Sequence, residues 1–239
     1  MKINILDNDA AIGEAVCKII CDEIKSKPGC VLGLATGASP VPTYKKLVEA
    51  YSKGEVSFKD VSTFNLDEYC DLPKDHKNSY FTFMRENLFS KIDIDMNNVG
   101  FLDGNANADS ESERYAAAIE AKGGIDIQLL GIGRNGHIAF NEPSDSFTDE
   151  AWKVTLTQST IDANSVYFDD VPMPHHAITM GIGSIMRAKK IILIATGASK
   201  AQAVRDMING PVTPQCPASV LQQHKDVTVF LDRAAAALL

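Results

Sequence analysis

Residues 131–142 read Gly-Ile-Gly-Arg-Asn-Gly-His-Ile-Ala-Phe-Asn-Glu, a segment whose side chains could transfer protons. Pro143 keeps the segment from continuing as a helix, so Glu142 can turn back to orient the imidazole of His137 while the second ring nitrogen acts. The segment also matches the Gly-x-Gly-x-x-Gly pattern of dinucleotide sites, but such sites need a long helix directly after the third glycine. Histidine, glutamate and proline follow instead. We therefore interpret the segment as a catalytic loop.

A second candidate group lies in residues 64–69, which read Phe-Asn-Leu-Asp-Glu-Tyr. Asp67 and Glu68 follow an apolar run and have apolar and aromatic neighbours. Partial removal from water would raise the pKa of a carboxyl group toward that of a useful general base. The alternative interpretation is an acidic loop that caps a helix starting near Asn78. The segment alone favours neither interpretation.

The pentapeptide Ala-Thr-Gly-Ala-Ser occurs twice, at residues 35–39 and 195–199, each time between an apolar run and a predicted helix. Small residues let backbone N–H groups approach an anion, hydroxyls add donors, and the helix start adds partial positive charge. Lys200 follows the second copy and supplies a mobile cation. Capping of the two helices by Thr and Ser is the alternative. We expect one phosphate shared between both loops.

Strands alternating with helices must position these segments. Apolar runs predict strands at residues 31–34, 61–64, 125–130, 154–156, 191–194 and 227–231. Helical spacing of apolar residues predicts helices within residues 44–51, 80–88 and 201–208. This alternation indicates an α/β, Rossmann-like three-layer fold with a mostly parallel sheet. Because ligands of such sheets bind beyond the carboxyl ends of the strands, the loops of interest begin at Ala35, Asn65, Gly131 and Ala195.

Composition narrows the class of protein. A length of 239 residues with 45% hydrophobic residues fits one domain, 1–239, without a linker. The net charge of −8 argues against a nucleic-acid partner. No apolar run approaches the roughly 20 residues that span a membrane, and no charged-then-apolar leader precedes the opening residues Met-Lys-Ile-Asn-Ile. The five cysteines lack C-x-x-C spacing and are typical of reduced thiols in a cytoplasmic protein: Cys17, Cys21, Cys30, Cys70 and Cys216.

Metal ligands are not indicated by the sequence. His175 and His176 are the only adjacent histidines. They precede an apolar run that is predicted as a strand, where neighbouring side chains point to opposite faces. The pair cannot readily share an ion, so we expect no metal site.

Three segments together closely resemble the glucosamine-6-phosphate deaminases: residues 64–69, 131–143 and 179–183. The resemblance spans nearly the whole chain and is most specific in the run from Gly136 to Pro143. It implies conversion of glucosamine 6-phosphate and water into fructose 6-phosphate and ammonia, without an organic cofactor. The small-molecule partner expected from it is an amino sugar phosphate.

The resemblance also implies roles for individual residues. His137 would transfer the proton that opens the pyranose ring, oriented by Glu142 and assisted by Asn135. Asp67 would then take the C2 proton and form an enolamine. The residues expected to contact substrate or its phosphate are Thr36, Gly37, Ala38, Ser39, Gly133, Ala139 and Lys200.

Three departures from the family pattern bear on these expectations. Many relatives have aspartate where this chain has Asn135, which can only form hydrogen bonds. Val166 stands where relatives commonly carry a phosphate-binding arginine, so a bidentate clamp is missing. Allosterically activated hexameric relatives have basic residues and a longer C-terminus where this chain has Trp152 and Val154 and stops at Leu239. We expect no such activation, and a monomer or small homo-oligomer.

Two further interpretations stay open. One is a galactosamine-6-phosphate deaminase-isomerase, which Val166 keeps open, or more remotely a 6-phosphogluconolactonase. The lactonases lack the asparagine-glutamate-proline sequence, so Glu142 and Pro143 argue against them. A non-catalytic sugar-phosphate sensor would need no pair of bases. Retention of Asp67, His137 and Glu142 therefore favours an enzyme.

Overall fold

Apolar runs become the strands of two β-sheets, and amphipathic stretches become the helices between them. The structure is a computed structural model that describes residues 1–239. The strands are β1 (Lys2–Leu6), β2 (Val31–Leu34), β3 (Ser62–Asn65), β4 (Asp67–Tyr69), β5 (Val99–Gly100), β6 (Ile127–Leu130), β7 (Trp152–Thr155), β8 (His176–Thr179), β9 (Lys190–Ala195) and β10 (Val227–Asp232). The α-helices are α1 (Asp9–Ser26), α2 (Val41–Ser52), α3 (Tyr80–Asn87), α4 (Ala108–Ala121), α5 (Gln158–Asn164), α6 (Ile182–Met186) and α7 (Ala201–Asn209). Each strand and helix that the sequence predicts is present.

The larger sheet has seven strands in the order β1-β10-β9-β6-β2-β3-β5. Every neighbouring pair in it is parallel. Parallel neighbours need long crossover connections, which the helices provide. The predicted α/β fold with a mostly parallel sheet is confirmed.

Two hydrophobic cores lie on opposite faces of this sheet. Along β9, Ile191 and Leu193 belong to one core, and Ile192 and Ile194 belong to the other. Helices α1, α2 and α3 contribute side chains to the second core, whereas α4, α6 and α7 contribute to the first. Strands covered on both faces read as continuous apolar runs. The arrangement has the expected three layers.

The carboxyl ends of β9, β6, β2 and β3 lie side by side in the sheet. These are the four strands that precede the loops singled out in the sequence. Strand β6, which leads into the histidine segment, lies between the two strands that end in the repeated pentapeptide. We call this row of four strand ends the carboxyl edge.

The smaller sheet was not expected. It has three strands in the order β4-β8-β7, and both pairs are antiparallel. The predicted strand at residues 154–156 belongs here and not to the parallel sheet. Along β7 only Val154 is buried, and Lys153 and Thr155 are exposed. A sheet with one wet face is typically antiparallel, so this polar alternation was the signal that distinguished it.

Strand β1 at the start of the chain was also not predicted from the sequence. It forms the edge of the larger sheet and pairs only with β10. Ile3 and Ile5 remain exposed because an edge strand has one neighbour instead of two. None of the helices has the length and hydrophobicity needed to cross a membrane.

Candidate active site

Asp67 is a buried carboxylate at the start of β4, directly beyond the carboxyl end of β3. The residue is 6% exposed, and no side chain or backbone group donates a hydrogen bond to its carboxylate. Burial, reinforced by the negative charge of Glu68, raises the pKa of Asp67 to about 8. The sequence placed this residue in a loop, whereas it is held in a strand paired with β8. A carboxyl group in this environment can exchange a proton near neutral pH.

The neighbouring Glu68 has a structural role. Its Oε1 accepts the N–H groups of Tyr69 and Tyr80 at 2.8 and 2.9 Å, and its Oε2 accepts the N–H of Phe81 at 3.0 Å. Burial raises the pKa of Glu68, and these three N–H groups oppose that rise. The capping interpretation of the acidic segment is therefore correct for Glu68, which binds the first turn of α3. It does not apply to Asp67.

Asn135, His137 and Glu142 form one hydrogen-bonded set, which we call the relay group. The Asn135 amide Nδ2 donates to Glu142 Oε2 at 2.7 Å, and its Oδ1 accepts the backbone N–H of His137 at 3.2 Å. The His137 Nδ1 lies 3.2 Å from the same Glu142 oxygen. A proton on Nδ1 therefore faces the carboxylate, which leaves Nε2 free to act on a ligand.

Glu142 is held in its ionised form. Burial opposes ionisation, but it is outweighed by the hydrogen bond and charge of His137 and by hydrogen bonds from Thr160 and Asn135. The pKa of Glu142 is lowered to about 2. An ionised carboxylate at this position accepts the hydrogen bond of a proton on the adjacent Nδ1 and so fixes the tautomer of the imidazole. The relay group can thus donate and accept a proton at His137 Nε2.

Glycine at position 133 is required by the position of the imidazole. A Cβ atom at Gly133 would lie 2.4 Å from the His137 ring, a distance that no ordinary side chain tolerates. The N–H of Gly133 also donates to the His137 carbonyl oxygen at 2.8 Å. The structure thus places Gly133 beneath the histidine. Ala139 follows in the left-handed region, with φ of 52°.

Strand β8 sets the distance between Asp67 and the relay group. Thr179 is the register partner of Asp67 across the β4–β8 pair. Its hydroxyl accepts the backbone N–H of Phe140 at 3.0 Å, and the Asn141 amide donates to the carbonyl oxygen of Met180 at 2.8 Å. The loop after β6 is therefore attached to the strand that also pairs with Asp67. This role of residues 179 and 180 was not found from the sequence.

The two pentapeptide loops have matching turns but different surroundings. Gly37 and Gly197 both adopt a positive φ, 87° and 88° respectively. The N–H of Gly197 donates to both carboxylate oxygens of Asp232, at 2.9 and 3.1 Å. Asp232 thus binds the N–H of Gly197, whereas the N–H of Gly37 has no carboxylate partner. The two loops, expected to share one phosphate, therefore differ at this glycine.

Two cations lie at the loop that follows β6: Arg134 belongs to the loop, and Lys200 contacts it. Lys200 Nζ donates to the Ile132 carbonyl oxygen at 2.6 Å. Burial lowers the pKa of Lys200, and the nearby charge of Arg134 lowers it further. Neither cation forms an ion pair with a carboxylate. Arg134 was not among the residues expected to bind phosphate, and Val166, the position expected to lack a cation, is 76% exposed.

The family described as glucosamine-6-phosphate isomerases/6-phosphogluconolactonase matches residues 8–230 of the sequence. The chain belongs to this family. A glucosamine-6-phosphate deaminase of Mycoplasma mycoides subsp. mycoides is 48% identical over 240 residues, which cover 100% of this chain and 98% of that protein. A glucosamine-6-phosphate deaminase of Shewanella woodyi is 49% identical over 241 residues, with 100% and 91% coverage.

Solved structures agree with this membership. The structure of a monomeric glucosamine-6-phosphate deaminase superposes with a TM-score of 0.96 at 42% identity, and both chains are covered completely. A 6-phosphogluconolactonase from Trypanosoma cruzi has a TM-score of 0.79 at 22% identity, covering 100% of this chain and 96% of that one. The second similarity shows a shared fold only. The predicted family and its fold are confirmed, and the protein is an enzyme of this family.

Proposed function

We propose that this enzyme converts glucosamine 6-phosphate and water into fructose 6-phosphate and ammonia. The observation that carries the proposal is the presence of two separate proton-transfer groups at one sheet edge. Asp67 is a buried carboxyl group with its pKa raised to about 8, and the relay group keeps Glu142 ionised beside His137. The full-length similarity to enzymes named for this reaction supports the same conclusion.

The relay group would act first, on the closed sugar ring. Ring opening removes a proton from the anomeric hydroxyl and adds one to the ring oxygen, which leaves an aldehyde at C1. His137 Nε2 is free for both transfers because Nδ1 faces Glu142. The ionised Glu142 stabilises the imidazolium that forms between the two transfers.

Asp67 would act second, on the open-chain aldehyde. A C2 proton becomes acidic only when C1 is a carbonyl, so the order of the two steps follows from the chemistry. Asp67 takes the C2 proton to give an enolamine, and a proton then enters at C1 to leave an imine at C2. Water adds to that imine and expels ammonia, which yields the ketone of fructose 6-phosphate.

The substrate phosphate would bind at the first pentapeptide loop. The backbone N–H groups of this loop are not bound by a carboxylate, whereas the N–H of Gly197 in the second loop is bound by Asp232. Lys200 and Arg134 provide positive charge from the neighbouring loops and have no carboxylate partner of their own. We assign phosphate or substrate contacts to Thr36, Gly37, Ala38, Ser39, Gly133, Ala139 and Lys200, with Arg134 added. Arg134 would compensate for the arginine that is absent at Val166.

The proposal includes the setting of the enzyme. The reaction moves protons and adds water, so the protein groups described above suffice without a cofactor. We propose that the enzyme is cytoplasmic, consists of a single domain that spans residues 1–239, and has no nucleic-acid partner. We further propose that it is a monomer or a small homo-oligomer. The monomeric state of the solved deaminase with a TM-score of 0.96 supports this assembly.

The proposal is tested by ammonia release from glucosamine 6-phosphate and by exchange of the C2 hydrogen in deuterated water. The wild-type protein should release ammonia, and Asp67→Asn should lower kcat by at least about 100-fold and abolish C2 exchange, since an amide cannot take the proton. Asp71→Asn is the matched control because Asp71 is exposed and lies four residues away. Near-native turnover by Asp67→Asn would show that the base is assigned wrongly.

The same assay decides between the remaining alternatives. Faster ammonia release from galactosamine 6-phosphate than from glucosamine 6-phosphate would favour the other amino sugar. Binding of both compounds, measured by calorimetry, without any ammonia release would favour a sensor. We expect glucosamine 6-phosphate to be the better substrate.

A further inference from the structure

Glu142 is bound on its second oxygen by residues that lie outside the relay group. The Thr160 hydroxyl donates to Glu142 Oε1 at 2.5 Å, and the Thr157 hydroxyl lies 3.2 Å from the same oxygen. The two hydroxyls are also 3.2 Å from each other. Oε2 is engaged by Asn135 and His137. Both oxygens of the carboxylate are therefore held, one by the loop after β6 and one by α5.

The two threonines do not perform the roles that threonine usually has in helices. Thr157 is the N-cap residue of α5, yet its hydroxyl accepts no N–H group of that helix. Thr160 lies inside α5, where threonine hydroxyls often bond to a carbonyl oxygen of the preceding turn. Its hydroxyl reaches Glu142 instead, and the residue is only 4% exposed. The direction of the Thr160 hydroxyl is thus explained by Glu142 and not by the helix, whereas the Thr157 hydroxyl also lies 3.1 Å from that of Ser159 in α5.

Removal of the Thr160 hydroxyl would leave a buried anion with an incomplete set of donors. Thr160 is one of the groups whose hydrogen bonds outweigh burial and keep Glu142 ionised. A carboxylate that loses a donor on one oxygen can rotate toward other donors, and rotation would carry Oε2 away from His137 Nδ1. The imidazole would then lose the contact that sets its tautomer.

We propose that Thr160, supported by Thr157, is a positioning residue that orients Glu142 toward His137 and thereby makes ring opening depend on the docking of α5. The proposal rests on the proposed function, because it assigns a step of that reaction. The 3-10 turn that directly follows α5, Ser165–Tyr167, is also held, because Asn78 Nδ2 donates to the Tyr167 carbonyl oxygen at 2.9 Å. The relay group is thus braced by an element that comes after it in the chain and is anchored to a different loop.

Ring opening can be measured separately from the later chemistry. Opening and reclosing of the ring interconverts the two anomers of glucosamine 6-phosphate, and NMR exchange spectroscopy reports that rate. In protein carrying Asp67→Asn, the C2 step is blocked while the relay group is intact. Adding Thr160→Val should lower the enzyme-catalysed anomer exchange by about 10-fold to 100-fold, the effect of losing one hydrogen bond to a charged group. The dissociation constant for glucosamine 6-phosphate should change by less than about 2-fold.

Further variants separate positioning from folding. Thr160→Ser keeps the hydroxyl and should restore exchange, and Thr157→Val should have a smaller effect because its contact is 3.2 Å long. Thr43→Val is the matched control, since the Thr43 hydroxyl is buried without a hydrogen-bond partner. Unchanged exchange in Thr160→Val, or no recovery with serine, would overturn the inference. Absence of catalysed exchange in Asp67→Asn itself would instead contradict the role of the relay group in the proposed function.

Discussion

Asp67 and Glu68 are chemically similar neighbours with opposite roles, and the number of N–H donors around each explains the difference. Glu68 accepts three backbone N–H groups and is thereby committed to the start of α3. Asp67 accepts none and stays available for a proton. Burial alone is common to both residues. A buried carboxyl group without donors is costly for stability, which is typical of residues retained for chemistry.

The raised pKa of Asp67 predicts the pH dependence of activity. The base form becomes the major form only above the pKa of about 8, so kcat/KM for glucosamine 6-phosphate should rise with pH through that region and level off above it. Steady-state ammonia assays between pH 6 and pH 9.5 measure this rise. A kcat/KM that stays constant from pH 6 to pH 9.5 would contradict the assignment.

The same shift has a consequence for stability. The folded-state pKa of Asp67 lies above the unfolded value of 3.8, so the folded protein keeps a proton that the unfolded chain releases. The contribution of Asp67 to the free energy of unfolding is therefore fully present below about pH 4 and is lost as the pH rises toward 8. Asp67→Asn removes this loss, and its Tm advantage over wild type should grow between pH 5 and pH 8.5 by at least about 2–4 °C. Parallel Tm curves for the two proteins would show that Asp67 does not titrate as described.

At the scale of elements, short strands determine which groups meet. Strand β8 pairs with β4 at Asp67 and binds the loop after β6 through Thr179. The first turn of α3 is bound to Glu68, directly beside Asp67. The proposed base is thus positioned by a strand pair on one side and by a helix start on the other.

Glu68→Gln tests how much the start of α3 contributes. Glutamine can keep one oxygen acceptor but replaces the other oxygen with an amide donor, so it loses at least one charge-assisted hydrogen bond. The free energy of unfolding should fall by about 1–3 kcal/mol in urea denaturation. Glu86→Gln, on the exposed side of the same helix, should change it by less than about 0.5 kcal/mol. Equal effects of the two variants would mean that Glu68 does not stabilise the helix.

At the scale of the whole molecule, the parallel sheet brings together four loops that are distant in sequence. The repeated pentapeptides lie on either side of β6, and the histidine segment lies between them. The symmetry is incomplete because Asp232 fills the second turn from within the protein. The N–H of Gly197 is therefore bound by an internal anion, whereas the N–H of Gly37 has no carboxylate partner.

The departures at Trp152 and Val154 predict the kinetic behaviour of the whole enzyme. The rate should depend hyperbolically on the concentration of glucosamine 6-phosphate. The reason is that Trp152 and Val154 stand where the hexameric relatives are expected to carry basic residues that bind the activator. Addition of N-acetylglucosamine 6-phosphate should not raise the rate at low substrate concentration. Light scattering of the same sample should give the mass of a single chain or a small homo-oligomer. A sigmoidal curve that becomes hyperbolic with N-acetylglucosamine 6-phosphate would contradict this prediction.

The sequence by itself determined the central strands and the loops after them, and it also pointed to the proposed proton-transfer groups. These features are local: apolar runs buried on both faces, glycine-rich turns, and the spacing of His137 and Glu142 report on their own segments. The larger sheet and the family could be predicted for that reason.

The tertiary structure decided which residues contact each other across the chain. The separate roles of Asp67 and Glu68 depend on where α3 begins. The N–H of Gly197 is bound because Asp232 lies at the end of β10. The second oxygen of Glu142 is held because α5 brings Thr160 to it. Each of these contacts joins residues that no periodicity or short motif connects. Strand order, register and helix docking bring them within hydrogen-bond distance, and these are properties of the whole folded chain.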